Sequence, residues 1–218
     1  KTGLSLSDGV TYYVSVKATD QAGNTGSAAI SDGVLANTSG PTSNNVSIAG
    51  GATYTNSTSV TLTLASTGAS QMSFRNDSGS WSSYESYATS KSWTLMNTQG
   101  TRTVWVRFKD NAGNVASAAS DTIVFDSVAP SAGTVADGSG TDIDVQSSTS
   151  TIQANWSGFS DATSGIDLYQ WAIGTTSGGT QTMGWTNSGV SGTKTGLSLS
   201  DGVTYYVSVK ATDQAGNT

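Results

Sequence analysis

The stretch KTGLSLSDGVTYYVSVKATDQAGNT occupies residues 1–25 and recurs without a change at residues 194–218. Within the second copy, residues 204–211 alternate apolar and polar side chains, which is the pattern of a half-buried β-strand. The preceding spacing, Leu199-x-Asp201-Gly202-Val203-x-Tyr205, is that of a tyrosine corner, in which a Tyr hydroxyl caps a backbone group at a turn of a β-sandwich. This stretch therefore predicts the edge of a β-sandwich.

The repeat also indicates how the chain is divided. The two copies begin 193 residues apart, and an identical match of this length indicates tandem repetition. A weaker echo links residues 108–123 to residues 17–33, so each period holds two modules of ordinary sandwich size. We predict that residues 1–38 are the C-terminal strands of a preceding module, 39–127 a complete module, and 128–218 a module lacking its last strand.

The composition excludes most catalytic and nucleic-acid-binding classes. No His and no Cys occur, which removes the commonest general base, thiol catalysis and disulfides. The one Glu, Glu85, lies in a polar stretch and the Asp residues are dispersed among predicted turns, so no pair of acids is suited to glycoside hydrolysis. The net charge of -6 opposes binding to phosphates, and no apolar run approaches the roughly 18 residues of a membrane helix. We predict no enzymatic activity, no nucleic-acid partner and no membrane contact within this segment.

Period-two alternation elsewhere identifies the candidate cores of the two modules. In each such strand, every second side chain is apolar and is expected to face the interior. The core residues predicted in this way are Trp156, Trp171 and Tyr205 in the last module, and Val104, Val106 and Phe108 in the middle one.

Two sets of segments resemble known bacterial modules. TIQANWSGFSDATSGIDLYQWAIGT (151–175), followed by GLSLSDGVTYYVSVKATDQAGN (196–217), resembles bacterial fibronectin type III-like modules, although Asp201 stands where that family usually has Pro. SVTLTLASTGASQMSFRNDSGSWSSYESYATSKSWTL (59–95), with VRFKDNAGNVASAASDTIVFDS (106–127), resembles the immunoglobulin-like repeats of large bacterial surface proteins. The resemblance implies an all-β fold of tandem antiparallel β-sandwich modules, arranged as beads on a string. It also implies an extracellular or cell-surface location.

Two kinds of loop carry the oxygen ligands that Ca²⁺ prefers. The D-x-A-G-N turns combine a carboxylate with an amide, and the loop from Asp137 to Asp144 gathers three acids, with Asp161 and Asp167 expected nearby. For the D-x-A-G-N turns, the alternative is a plain hairpin turn, with Gly and Asn at positive φ and Asp hydrogen-bonded to the backbone. For the acidic loop, the alternative is that its carboxylates are simply solvated. The candidate metal ligands are Asp110, Asn114, Asp213, Asn217, Asp137, Asp142 and Asp144. No other cofactor is expected.

Three aromatic residues are candidates for surface contacts. Trp105, Tyr206 and its copy Tyr13 alternate with the core residues of their strands, so they are expected on the outer face. Exposed aromatic rings can bind sugars or a neighbouring chain, although isolated surface aromatics are also ordinary in strands.

Five sequons provide possible glycosylation sites, which we expect in loops or, for the last of them, on the outward side of a strand. The alternative is that they stay unmodified, as in an ordinary bacterial protein. The five asparagines are Asn37, Asn45, Asn56, Asn76 and Asn155.

Taken together, the sequence predicts the structural repeat unit of an extended extracellular fibre, stalk or surface filament. Its partners are further copies of the repeat in the same chain, with lateral self-association between rods possible as well. The alternative is a carbohydrate-binding module, or an adhesin extender made rigid by calcium.

Overall fold

The computed structural model describes residues 2–218, which form strands joined by turns. Across these residues no α-helix occurs, and the one helical element is a short 3-10 turn at Ala49–Gly51. None of the described segments is a helix able to cross a membrane. The all-β fold class is therefore confirmed.

The strands, in chain order, are β1 (Val10–Tyr12), β2 (Ser15–Val16), β3 (Ala29–Ile30), β4 (Val34–Ala36), β5 (Thr42–Ile48), β6 (Tyr54–Thr55), β7 (Ser59–Thr67), β8 (Gln71–Asn76), β9 (Glu85–Ser86), β10 (Ser90–Thr94), β11 (Gly100–Lys109), β12 (Ala119–Phe125), β13 (Thr134–Asp137), β14 (Ile152–Ser157), β15 (Ile166–Gly174), β16 (Met183–Ser188), β17 (Ser191–Lys194) and β18 (Tyr206–Asp213). Over residues 2–218 they form sheets in the orders β1-β4, β2-β3, β10-β7-β5, β6-β12-β11-β8-β9, β13-β14-β17 and β16-β15-β18. β6 and β12 run parallel, whereas the pairing is antiparallel for β1-β4, β2-β3, β8-β9, β8-β11, β13-β14, β14-β17, β15-β16 and β15-β18.

The chain divides into two compact units. One comprises the residues up to Ser47 with Leu62–Lys91 and Val104–Asp121, and the other comprises Ile48–Thr61, Ser92–Thr103 and Thr122–Thr218. The division into modules at residues 38/39 and 127/128 stays a prediction.

In the first unit, the predicted alternation along β11 is present. Val104, Val106 and Phe108 are fully buried, and Val106 lies opposite the equally buried Phe74 where β11 pairs with β8. Phe108 packs edge-on against Tyr87, with ring centres 5.8 Å apart. The strands β1 to β4 of the same unit form only two short antiparallel pairs, and their apolar side chains are largely exposed.

In the second unit, the sheets β13-β14-β17 and β16-β15-β18 bury a shared aromatic core. Trp156 from β14 and Trp171 from β15 are each 4% exposed, with ring centres 6.1 Å apart. A side chain at Gly192 would collide with the Trp171 ring, so β17 can pass there only with glycine. Half-buried Tyr205 packs on this core, and its hydroxyl accepts a hydrogen bond from the Ser200 backbone at 3.0 Å, which completes the tyrosine corner.

Candidate functional site

Each D-x-A-G-N turn folds around its own aspartate. Oδ1 of Asp213 accepts hydrogen bonds from the backbone N–H groups of Ala215 and Asn217, both at 2.9 Å, and Oδ2 accepts one from Asn217 Nδ2 at 2.7 Å. Asp20 accepts the same three bonds from Ala22 and Asn24. The local sequence therefore closes the turn whatever surrounds it.

The glycine of each turn adopts the left-handed conformation that the hairpin interpretation requires. The φ angles are 90° at Gly23, 94° at Gly113 and 91° at Gly216. The prediction of a positive φ at the following asparagine is wrong. Among residues 2–218, the non-glycine residues with positive φ are Ser43, Ala49 and Asp77. The asparagine keeps an ordinary backbone and uses its side chain instead.

In two of the turns, that asparagine side chain also binds the residue that follows an upstream strand. Asn114 Nδ2 donates to the carbonyl of Asn37, directly after β4, at 3.0 Å. Asn217 Nδ2 donates to the carbonyl of Asp126, directly after β12, also at 3.0 Å. Both acceptor residues stand four positions before a proline, so the two contacts are equivalent. We call them the first and the second joint.

The two joints differ in the side chain of the acceptor residue. At the first joint, Asn37 Nδ2 donates to Asp110 Oδ2 at 2.9 Å. At the second joint the equivalent residue is Asp126, and its carboxylate lies with those of Asp161 and Asp213, with oxygen atoms of all three within 4.8 Å of one another. The amide–carboxylate pair of Asn37 and Asp110 at the first joint thus corresponds to the pair of acids Asp126 and Asp213 at the second, where Asp161 adds a third carboxylate.

The carboxylate cluster of the second joint is largely buried. Asp126 is fully buried and Asp213 is 1% exposed, while Asp126 Oδ2 accepts a hydrogen bond from Ser164 Oγ at 2.6 Å. Burial acts to raise the pKa of Asp161, but backbone N–H groups, Gly165 first, outweigh it and hold that pKa below its ordinary value. Buried like charges repel unless a cation or a proton lies between them, and carboxylate oxygens suit Ca²⁺.

Sequence reasoning named Asp213 but missed Asp126 as a ligand, and it expected Asp161 beside the loop that starts at Asp137. Asp161 lies with Asp126 and Asp213 instead. The signal that could have found Asp126 is its position, which matches that of Asn37 before a proline.

The predicted acidic loop lines an open cleft of about 550 Å³ in the second unit, together with Tyr205 and Tyr206. Asp142 Oδ1 accepts a hydrogen bond from the Asp137 backbone at 2.8 Å. Burial, followed by the charge of Asp142, raises the pKa of Asp137. Asp142 and Asp144 are exposed, in keeping with solvated loop acids.

Of the three surface aromatics, Tyr13 and Tyr206 are 63% and 42% exposed. Trp105 alternates with the buried Val104 and Val106 and is half-buried, with the Arg75 guanidinium 5.1 Å from its ring centre. A surface contact through these residues stays a prediction.

The sequons lie partly in strands, contrary to the expectation that all but Asn155 occupy loops. Asn45 is within β5 and Asn76 ends β8, whereas Asn37 and Asn56 directly follow strands. The side-chain amides of two are engaged, since Asn37 donates to Asp110 and Asn155 Nδ2 donates to the Gly140 carbonyl at 2.9 Å. Attached sugar would disturb those bonds, and glycosylation stays a prediction.

The chain matches no protein-family model and no curated protein. Among solved structures it is similar to the FN1–FN3 domains of chicken CNTN1, with 15% identity, a TM-score of 0.40, and 96% of this chain and 72% of that one covered. It is also similar to the fibronectin(III)-like modules of Clostridium thermocellum CbhA, with 14% identity, a TM-score of 0.42, and 79% and 87% covered. A third similar structure is the central fibronectin-III array of RIM-binding protein, with 15% identity, a TM-score of 0.29, and 79% of this chain and 57% of that one covered. All three are fibronectin type III modules.

Proposed function

We propose that this chain is a non-catalytic repeat unit of an extended extracellular fibre, stalk or surface filament. The observation that carries the proposal is the repeated joint, in which the asparagine of a D-x-A-G-N turn donates to the carbonyl directly after an upstream strand. The lack of His and Cys supports the non-catalytic part, because it removes the commonest acid-base and nucleophilic groups.

The joint is suited to fixing the direction in which one module follows another. Its asparagine is held at two points, by the aspartate of its own turn and by the upstream carbonyl, so the contact resists rotation at the connection. The same contact at two equivalent positions, at 3.0 Å in each, supports a repeated mechanical element. Length then grows with copy number, and the net charge of -6 keeps such a rod soluble.

The turn at Asp20–Asn24 supports the presence of further copies as partners. The Asn24 side chain donates to Asp20, as Asn114 does to Asp110 and Asn217 to Asp213, yet Asn24 is exposed. Since residues 1–25 are identical to residues 194–218, the segment that would bind this turn is one like Ala119–Asp126 from another copy of the repeat.

Small-angle X-ray scattering tests the proposal on chains carrying one, two and three copies of residues 26–218. We expect the maximum dimension to grow in proportion to copy number. The double variant Asn114→Ala, Asn217→Ala should bend more freely and shorten the average dimension, whereas Asn45→Ala, an exposed asparagine outside the joints, should not. A dimension that does not grow, or equal shortening by the control, would contradict the rod.

A calcium-rigidified extender is the second candidate, favoured by the three converging carboxylates of the second joint. Asp126, Asp161 and Asp213 together provide the hard oxygen ligands that Ca²⁺ takes. In the same scattering experiment, chelation should then shorten the chain, and Asp126→Asn should make it insensitive to chelator. Insensitivity of the unaltered chain would leave the rod without a calcium role.

A further inference from the structure

A second feature of the first unit is unrelated to the joints. The loop between β8 and β9 folds back over the outer face of β8, where Ser73 Oγ donates to the Ser82 carbonyl at 2.8 Å and the Ser82 backbone donates to the Phe74 carbonyl at 2.7 Å. This loop carries Trp81 and Tyr84 onto the face from which the cationic side chains of β8 and β11 project.

On this face, cations and aromatic rings alternate in one row. The Arg75 guanidinium lies 5.1 Å from the centre of the Trp105 ring and 5.0 Å from that of Trp81. Arg107 lies 4.6 Å from Trp81 and 4.9 Å from Tyr84, and the Lys109 ammonium lies 4.2 Å from Tyr84. We call this row the cationic ladder; its members in order are Trp105, Arg75, Trp81, Arg107, Tyr84 and Lys109.

The charges of the ladder are not neutralised by acids. Lys91 and Glu85 form an ion pair, and it includes no ladder residue. The Nε atoms of Arg75 and Arg107 are buried without a hydrogen-bond partner, whereas their terminal nitrogens are not among the buried unpartnered atoms. The rings therefore hold each guanidinium flat and partly desolvated, with its donor edge open to an anion.

Three of the nine Lys and Arg residues of an acidic chain are gathered here. A guanidinium edge binds a planar anionic group through two parallel hydrogen bonds, and such charge-assisted bonds are the stronger ones. The partly exposed rims of Trp81, Tyr84 and Trp105 add apolar surface on which the C–H groups of a sugar can pack. We propose that the cationic ladder binds an acidic glycan, one whose sugar rings carry carboxylate or sulfate groups.

An acidic peptide and a nucleic acid fit this face less well. Extended peptides usually add to a free sheet edge, but one edge of β8 pairs with β11 and the other is met by β9 at Gln71 and Met72 and by Ser82 at Phe74. Nucleic acids bind through many phosphates at once, and three cations in a chain of net charge -6 supply few such contacts.

The test is titration of the complete chain with dextran sulfate, polygalacturonate and neutral dextran of matched length, at low and at physiological salt. We expect the ladder to bind the charged polymers, to ignore dextran and to weaken with salt, and the two charged polymers distinguish sulfate from carboxylate. Arg107→Gln should weaken binding about tenfold or more, as the loss of a hydrogen-bonded charge implies.

Lys17→Gln is the matched control, since it removes one positive charge from an exposed side chain outside the ladder, and it should bind as the unaltered chain does. If Arg107→Gln does not fold, Arg107→Lys keeps the charge but loses the two-pronged donor edge, and it should still weaken binding. Equal binding of neutral dextran, no binding of either charged polymer, an equal loss in Lys17→Gln, or tighter binding of oligothymidylate or polyglutamate would overturn the proposal.

Discussion

The two copies of the 25-residue stretch place one sequence in two surroundings. Their turns agree closely, with φ of 72° at Gly9 and 71° at Gly202. In both copies, a Tyr hydroxyl accepts a hydrogen bond from the backbone five residues upstream, Ser7 to Tyr12 at 2.8 Å and Ser200 to Tyr205 at 3.0 Å. The conformation of these turns therefore follows from their own residues, whereas the strands differ, because the first copy forms β1 and β2 and the second forms the continuous β18.

The burial of the two copies is different. Val16 is 61% exposed, whereas its counterpart Val209 is half-buried against the core that contains Trp156 and Trp171. The cause is pairing, because β18 runs along β15 for its whole length while β2 is only two residues long. A turn can form alone, but a half-buried strand needs the neighbouring strands that cover its apolar face.

The largest difference between the copies should appear at the turn aspartate. We expect Asp213→Ala to lower the free energy of unfolding by about 2–4 kcal/mol, because three hydrogen-bond donors lose a nearly fully buried acceptor. Urea unfolding followed by tryptophan fluorescence measures this. Asp20→Ala removes the same bonds from an exposed turn, where water replaces them, so its loss should be smaller. Equal losses of unfolding free energy in the two variants would show that burial of the aspartate does not determine the size of the loss.

Calcium should act on the second copy through Asp213 and leave the first unaffected. At a concentration about fifty times its Kd, calcium should stabilise the chain by about 2 kcal/mol. Thermal unfolding in calcium and in chelator measures the difference. Asp126→Asn, which reproduces the amide found at the first joint, should abolish the response and raise the stability measured in chelator. A response that survives in Asp126→Asn would place any calcium elsewhere.

The packing of the strand can be tested with one small truncation in each copy. Val209→Ala should cost about 1 kcal/mol, since roughly two methyl-sized groups lose partial burial. Val16→Ala should leave the free energy of unfolding nearly unchanged, because the side chain is already in water. The same urea titrations measure both, and a comparable cost in Val16→Ala would mean that the first copy is covered in solution.

The smallest expected effect concerns pH. The Asn24 side chain, followed by its backbone N–H, lowers the pKa of Asp20. Because the folded pKa lies below the unfolded one, the carboxylate stabilises the turn above about pH 4, and this contribution is lost as pH falls through the lowered value. Asn24→Ala should raise the Asp20 pKa toward its ordinary value in a carbon-detected NMR titration. Asn45→Ala should leave it unchanged, and an unchanged pKa in Asn24→Ala would show that the Asn24 side chain does not cause the lowering.

The candidate site was only partly predictable. The D-x-A-G-N motif identified Asp213 and Asn217, because turns can be recognised in a sequence from the type and spacing of their residues. Asp126 and Asp161 lie 35 residues apart in the chain and meet Asp213 only after β12, β15 and β18 are in place. The cationic ladder likewise depends on a loop folding across two strands, so the alternation that identified Trp105 could not show that Arg75 covers it.

The amino-acid sequence by itself determined the turns and which face of each strand is apolar, because these depend on neighbours along the chain and on the period of the β-strand. It did not determine the extent of the strands, since residues 10–12 form a strand and the identical residues 203–205 do not. Tertiary structure alone decided which identical residues are buried, which acids converge and which cations stack on which rings. Those outcomes depend on distances between atoms far apart in sequence, and only the pairing of whole strands sets such distances.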